Sequence, residues 1–297
     1  HDGAMFSING TRLAFTTDSY VVDPIFFPGG DIGMLAVNGT VNDLAMCGAR
    51  PLHLSIAFIL EEGFPMQDLQ RVVASVREAA KKAQVVLVTG DTKVVERGKC
   101  DKLFINTSGI GVIGPGIDIN PKRAKPGDNV ILSGRIASHG IAVMSMREGL
   151  EFETELQSDS APLHSLVETM FQVTKNIHVL RDPTRGGVAS ALNEIATSAQ
   201  VGIVLEETRI PISEEVEGAC EILGFDPLYV ANEGKLLAIV PPEEAKAIFA
   251  AMRSHPDGID SEIIGEVVDM HPGIVTMKTR IGGSRVVDML SGEQLPR

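Results

Sequence analysis

At 297 residues the chain exceeds one typical domain, so two domains are the natural expectation, and its 44% hydrophobic and 22% charged residues exclude a disordered or fibrous chain. A net charge of −13 excludes general attraction to DNA or RNA backbones, which needs clustered positive charge. Aromatics at 4% and no tryptophan leave the core to Val, Ile, Leu, Ala and Met, a usage suited to parallel or mixed sheets covered by helices.

Arg12–Thr17 is predicted as a short strand ending at Asp18. Ile32–Gly48 reads as a helix, with Leu35, Val41, Leu44 and Ala45 at near-helical spacing and Gly48 and Pro51 closing it. Leu52–Leu60 is a near-continuous apolar strand. Pro65–Ala83 is the clearest helix, its stripe formed by Leu69, Val72, Val73, Val76, Ala79, Ala80 and Ala83, with Pro65 suited to the first turn. Val85–Thr89 is predicted as a short buried strand with Gly90-Asp91-Thr92 directly after it, and Lys102–Ile113 as a longer strand. The segment Gly114–Gly127 is rich in Pro, Gly and Lys, which places a domain boundary near Asn120 and gives domains 1–119 and 120–297.

Beyond it, strands are expected at Asn129–Ser133, Val201–Leu205, Lys235–Val240, Ile263–Val268, Ile274–Met277 and Val286–Met289. Helices are expected at His139–Glu148, Leu163–Val173, Gly187–Ala199, Glu214–Leu223 and Glu243–His255. Both halves are therefore α/β or α+β units. Cys47, Cys100 and Cys220 lie far apart without a CxxC pair, which argues against a disulfide scaffold or zinc ribbon and fits a reducing cytosol. No apolar run reaches the roughly 18 residues that span a bilayer, and no signal peptide is visible, so a cytoplasmic protein is expected. Both ends read as cut, the first inside a functional loop at His1-Asp2-Gly3-Ala4.

Four acids, Asp2, Asp18, Asp43 and Asp91, stand where strands are predicted to end or a helix faces the same end. Hard carboxylate oxygens on loops suit Mg²⁺, which shares its remaining positions with phosphates and water, and open α/β sheets gather ligands beyond the carboxyl ends of strands. A lone aspartate there is as readily a turn or helix cap, but four in one half favour a metal-phosphate site. Lys93, after Gly90-Asp91-Thr92, is placed either to reach a phosphate or to stay solvated. In Arg181-Asp182-Pro183-Thr184-Arg185-Gly186-Gly187-Val188, two glycines at a helix start leave N–H groups free for an anion beside arginines; the rival reading is an entry capped by Thr184. Glu233, in Asn232-Glu233-Gly234, is a candidate general base or a turn carboxylate. His139, His164 and His178 have no metal-ligand pairing, and neither GxxxxGK[ST] nor GxGxxG after a strand occurs, which excludes the common P-loop and Rossmann sites.

The segments TTDSYVVDPIFFPGGDIGMLAVNGTVNDLAMCGARP (Thr16–Pro51), FILEEGFPMQDL, VTGDTKVVERG, KLFINTSGIG, RDPTRGGV and FDPLYVANEGKL together resemble the HypE proteins, and the resemblance covers essentially the whole chain. HypE proteins are carbamoyl dehydratases within the group of aminoimidazole ribonucleotide synthetase, selenophosphate synthetase and thiamine-monophosphate kinase. The resemblance implies an N-terminal α/β domain whose sheet pairs into a dimeric β-barrel and a C-terminal α+β domain. It implies Mg-ATP in the cleft, with Asp2, Asp18 and Asp91 as metal ligands. Asp18, Asp91, Thr92, Arg181, Asp182, Arg185 and Gly186 would hold the nucleotide, and Asp43, Lys93 and Glu233 would act at the reacting group. The implied reaction is ATP-dependent dehydration of a thiocarbamate, carried on a C-terminal cysteine, to a thiocyanate that supplies cyanide for [NiFe]-hydrogenase maturation. The implied partners are a second copy, the carbamoyltransferase HypF and a HypC–HypD complex, with neither nucleic acid nor membrane. The family's Pro-Arg-Ile-Cys end and its upstream glycine-rich segment are not in this sequence, and His1 stands where an acid is more usual. The alternatives are a scaffold that binds nucleotide without turnover and a kinase or synthetase of the same fold.

Overall fold

The structure, a computed structural model, describes residues 2–149 and 156–290. The N-terminal half contains β1 (Ala4–Ile8), β2 (Thr11–Tyr20), a small hairpin of β3 (Phe26–Phe27) and β4 (Gly30–Asp31), α1 (Ile32–Met46), β5 (Ala49–Glu61), α2 (Met66–Lys82), β6 (Val86–Val95) and β7 (Leu103–Ile113). Its main sheet runs β1-β2-β7-β5-β6. All its neighbours are antiparallel except β5 and β6.

Asp31 starts α1, its Oδ1 accepting from the backbone N–H of Gly33 at 2.8 Å and of Met34 at 3.0 Å. The helix is buried almost all round rather than along one stripe. It fits because Gly33 lies against the Val72 carbonyl of α2 and Gly39 against the Tyr20 ring, where a side chain would collide. In α2 the apolar stripe is real, but Pro65 is the residue before the helix and Val73 is exposed, on the edge of the stripe.

The helices cover one face of this sheet. Along β7 the residues alternate strictly, with Leu103, Ile105 and Thr107 buried beneath α1. The other face is bare and partly apolar, exposing Phe6, Phe15 and Ile59. Three expectations fail here for one reason, the position of strands within the sheet. β6 is an exposed edge strand rather than a buried one, Gly90-Asp91-Thr92 lies inside it rather than beyond its end, and Asp18 lies inside β2. The segment after Asp2 is strand β1, not loop.

The C-terminal half contains β8 (Asn129–Leu132), α3 (Ser138–Glu148), α4 (His164–Val173), β9 (Val179–Arg181), α5 (Gly187–Ala199), β10 (Gly202–Glu206), α6 (Glu214–Leu223), β11 (Leu237–Val240), α7 (Pro242–Arg253), β12 (Glu262–Val268), β13 (Val275–Lys278) and β14 (Ser284–Val286). They build a seven-stranded sheet, β14-β13-β10-β12-β8-β11-β9. It too is mixed but mainly antiparallel, with β10 and β13 the parallel pair. β9 has no counterpart among the predicted strands; three residues are too few for a periodic signal.

Strand alternation divides the core. Val130, Leu132, Leu237 and Ile239 pack with Val188, Leu192 and Ile195 of α5. Ile131, Ala238 and Val240, one residue out of phase, join Leu166 and Met170 of α4, Ile248 of α7 and the core around α1. The two halves thus share one hydrophobic interior, which sets α1 against the C-terminal sheet.

Candidate functional site

Three carboxylates converge where α1 meets that sheet. Asp2 precedes β1, Asp43 lies in the last turns of α1, and Asp182 follows β9. One oxygen of each lies within 4.8 Å of the others. Thr16 of β2 binds two of the segments, its Oγ1 lying 2.7 Å from Asp43 Oδ2 and 2.9 Å from the Asp2 carbonyl oxygen. Asp18, two residues along the same strand face, is hydrogen-bonded to Asp43 and lies 3.5 Å from the Tyr20 hydroxyl.

Burial is the main reason these groups hold protons tightly. It raises Asp43 and Asp182 far above the carboxylate range, and the facing charges of Asp182 and Asp18 on Asp43, and of Asp2 on Asp182, add to it. Asp2 is raised too, burial outweighing the pull of Arg181. Glu233, after the buried Asn232, is pushed well up by burial and then by Asp182, Asp159 and Asp18. Carboxylates gathered this way suit a hard divalent cation, which favours their ionised forms. Asp2 Oδ2 is buried without a hydrogen-bond partner, a free oxygen of the kind a cation takes.

Arg181 is already engaged, with an ion pair to Asp2 and another to Glu194 at 2.8 Å. Arg185 is exposed and has no ion pair among the described residues, so it is the arginine of this segment positioned to meet an anion. Thr184 does not cap α5. Gly186 does, at φ 74°, and Gly187 follows at φ 61° with the carbonyls of Leu228 and Val230 against it.

Asp91, Thr92 and Lys93 are not part of this cluster within one chain. The row Asp18, Thr107, Ile56, Gly90 crosses four adjacent strands, so three strand spacings, about 14 Å, separate its ends. Asp91, one residue on, points to the bare face of the sheet, as does Lys93, and the two pair at 3.6 Å in solvent. Thr92 points the other way and is exposed. His139 and His178 are structural, as expected: His139 Nδ1 meets Ser158 Oγ at 2.8 Å and His178 Nδ1 meets Asp128 at 2.7 Å, both within the protein. His1 lies outside the described residues.

Several polar residues at the site were not singled out from sequence. Asn38 and Asn42, one helical turn apart, face residues 156–163, a strap between α3 and α4. Asn38 Nδ2 donates to Ser160 Oγ at 3.0 Å. Asn42 Nδ2 donates to the Ala161 and Glu233 carbonyls at 3.0 and 3.3 Å, and Asn42 Oδ1 accepts from Leu163 N at 2.8 Å. The available signal was two asparagines four apart in a mainly apolar helix, beside Thr40 and Asp43. Asp159, within the strap, left no such signal.

Residues 1–113 match the family described as AIR synthase related protein, N-terminal domain, and residues 125–278 match AIR synthase related protein, C-terminal domain. The chain is 56% identical to a carbamoyl dehydratase HypE of Cupriavidus necator, over 100% of this chain and 85% of that protein. The structure of a hydrogenase maturation protein HypE in complex with ATP superposes with a TM-score of 0.93 at 52% identity, covering 100% of this chain and 89% of that one. A HypE–HypF complex also matches with a TM-score of 0.93 at 52% identity, covering 97% and 93%.

Proposed function

This chain belongs to the HypE carbamoyl dehydratases of the AIR synthase related family, and from that premise we propose that it dehydrates a cysteine-borne carbamoyl group at the expense of ATP, supplying cyanide for hydrogenase maturation. The observation that carries this reading is the buried carboxylate cluster of Asp2, Asp43 and Asp182, with its unpartnered Asp2 oxygen, in a fold shared with a HypE that binds ATP. The same fold with over half of the residues identical leaves the scaffold and kinase alternatives without support of their own.

The chemistry follows from a poor leaving group. The thiocarbamate oxygen attacks the γ-phosphorus, a P–O bond forms and ADP departs, while one N–H proton passes to a carboxylate. The C–O bond then breaks, phosphate carries the oxygen away, the second N–H proton is removed and S–C≡N remains. Asp43 and Glu233 are the proposed proton acceptors; burial raises both above the carboxylate range, and a divalent cation bound at the neighbouring carboxylates would favour the ionised forms that can take a proton. Arg185 and the glycine-led start of α5 would meet the phosphates, with Gly186 allowing close approach. Mg²⁺ held by Asp2 and Asp18, with Asp182 beside them, would neutralise phosphate charge.

Asp91, Thr92 and Lys93 are assigned to the homodimer rather than to the single chain. The outward residues of β5 and β7 form the bare face, and a second copy closing a barrel over it would cover both that face and the exposed edge β6. HypF is the proposed carbamoyl donor, as in the HypE–HypF complex, and a HypC–HypD complex the proposed acceptor. The units 1–119 and 120–297 would divide dimerisation from the C-terminal half of the nucleotide cleft. A cytoplasmic setting fits three free cysteines, and no helix among the described residues is long and apolar enough to cross a membrane.

The carrier is proposed to be a terminal cysteine, as in the Pro-Arg-Ile-Cys end of the family, and residues 291–297 lie outside the described residues. Cys47, Cys100 and Cys220 are buried, and burial pushes Cys47 up to about 12 and Cys220 to about 11. The test is mass spectrometry of the full-length protein carrying Ile-Cys after Arg297, carbamoylated by HypF and then given Mg-ATP. A carbamoyl increment on the terminal cysteine that loses the mass of water is expected. An increment that ATP leaves unchanged would overturn the reading.

A further inference from the structure

Glu233 is held by its backbone, from two sides. Its carbonyl oxygen accepts from Asn42 of the N-terminal half, and its N–H donates to Asp159 Oδ1 at 3.1 Å on the strap. Asp159 is almost fully enclosed, and its other oxygen lies 3.2 Å from Lys235 Nζ. Lys235 also donates to the Gly234 carbonyl at 2.9 Å. The Asp159 carbonyl presses on Gly234 so closely that no side chain fits there. The strap is anchored in turn, since Ser158 N donates to the Pro28 carbonyl at 2.8 Å and Ser158 Oγ meets His139.

This arrangement has more than packing as its consequence. Asp159 and Lys235 form a charge pair beside the peptide that carries the Glu233 side chain. A pocket of about 210 Å³ whose lining includes Asp159, Lys235, Arg135 and Asp260 adjoins the pair. The Asp159 and Asn42 hydrogen bonds act on the Glu233 main chain directly, while the Asp159–Lys235 contact is an ion pair without hydrogen-bond geometry.

We infer that Asp159 is a positioning residue for Glu233: its carboxylate, locked by Lys235, fixes the Glu233 peptide and with it the aim of the carboxyl at the carbamoyl nitrogen. The inference rests on the proposed dehydration with Glu233 as a proton acceptor. It assigns the strap a task in the dehydration step and none in nucleotide binding, because Asp159 touches Glu233 and not the Asp2, Asp43 and Asp182 cluster. Small displacements of a reacting group are costly, a shift of about 1 Å being worth as much as a hundredfold in rate.

The experiment uses full-length protein with its terminal cysteine, carbamoylated by HypF, and follows ATP-dependent thiocyanate formation by mass spectrometry beside calorimetric titration with Mg-ATP. Asp159→Ala is expected to slow dehydration by roughly tenfold to a hundredfold with the affinity for Mg-ATP unchanged. Asp159→Asn, which keeps an acceptor for the Glu233 N–H, is expected to recover most of the rate. In a Glu233→Gln background Asp159→Ala is expected to add no further loss, since residues acting as one unit are non-additive. Lys235→Met retains the bond from Asp159 to Glu233 and so reports on the lock even if Asp159→Ala fails to fold; a drop of roughly fivefold is expected, the equivalent of one modest ion pair. Unaltered rates in Asp159→Ala or Lys235→Met, a proportional loss of Mg-ATP affinity, or full additivity with Glu233→Gln would each overturn the inference. Failure of the unaltered protein to form thiocyanate would instead count against the function itself.

Discussion

Asn42 of α1 donates a hydrogen bond to the main-chain carbonyl of Glu233, at 3.3 Å and 191 residues away in sequence. The same side chain binds Ala161 and Leu163, so one asparagine ties the N-terminal helix, the strap and the segment before β11 into a single unit. It is 2% exposed, so its bonds are made in the protein interior.

Asn42→Ala should therefore destabilise the fold by about 2–4 kcal/mol, the cost of stranding several buried polar partners. Urea denaturation at neutral pH measures it. A midpoint within error of the unaltered protein would show that the halves are joined by apolar packing alone.

Mg-ATP should stabilise the folded protein by roughly 2.7 kcal/mol at a hundredfold excess over Kd. Burial and the facing carboxylates push Asp43 up to about 11, and asparagine resembles a neutral carboxyl in shape. Asp43→Asn should thus leave the ligand-free melting temperature nearly unchanged while reducing the shift produced by Mg-ATP. Thermal scans with nucleotide, with metal and with both distinguish the contributions. Equal shifts in the two proteins would remove Asp43 from the nucleotide-metal site.

The bare face of the first sheet should bury itself against a second copy. Ile59→Glu places a charge at the middle of that face, on a residue already 38% exposed in the single chain, so the protomer should still fold. Light scattering is expected to give a dimer for the unaltered protein and half that mass for the variant. Asp91→Asn should weaken Mg-ATP binding in the dimer more than Glu233→Gln does, because Asp91 is proposed to serve the nucleotide from across the homodimer whereas Glu233 is proposed to act on the carbamoyl group. Monomeric unaltered protein, or equal losses in the two variants, would contradict this assignment.

His139 supplies a pH dependence whose sign can be worked out. Burial lowers its pKa from 6.5 to about 4, with Asp159 pulling the other way. Between these values the unfolded chain binds the extra proton, so stability is complete above about pH 6.5 and falls as pH drops toward 4, by up to about 3 kcal/mol. His139→Gln should remove this part of the acid sensitivity. Denaturation series across that window for both proteins give the difference, and parallel curves would show that His139 titrates alike in the folded and unfolded chain, against a lowered pKa.

Much of this protein was legible in its sequence wherever the cause was local. Helix α5 runs Gly187–Ala199 and α6 runs Glu214–Leu223 as their spacing and bounds predict, because capping glycines and a 3.6-residue period act over a few neighbours. The strand Leu103–Ile113 was similarly visible, from its apolar run. The edge strand β6 was not, because Val86, Val88 and Val94 are as apolar as buried residues and only the missing neighbour strand exposes them.

The sequence by itself thus determined which segments become helices and strands, and which acids were available for a site. The tertiary structure decided which acids meet. Asp2, Asp43 and Asp182 come together only because the start of β1 and the ends of α1 and β9 meet at one seam, while Asp91 is carried to the opposite face by strand register. Register and docking come from contacts between residues distant in the chain, and a shift of one residue reverses a side chain's face. The raised proton affinity of the carboxyls is a property of that seam too, since desolvation exists only once the halves have closed over them.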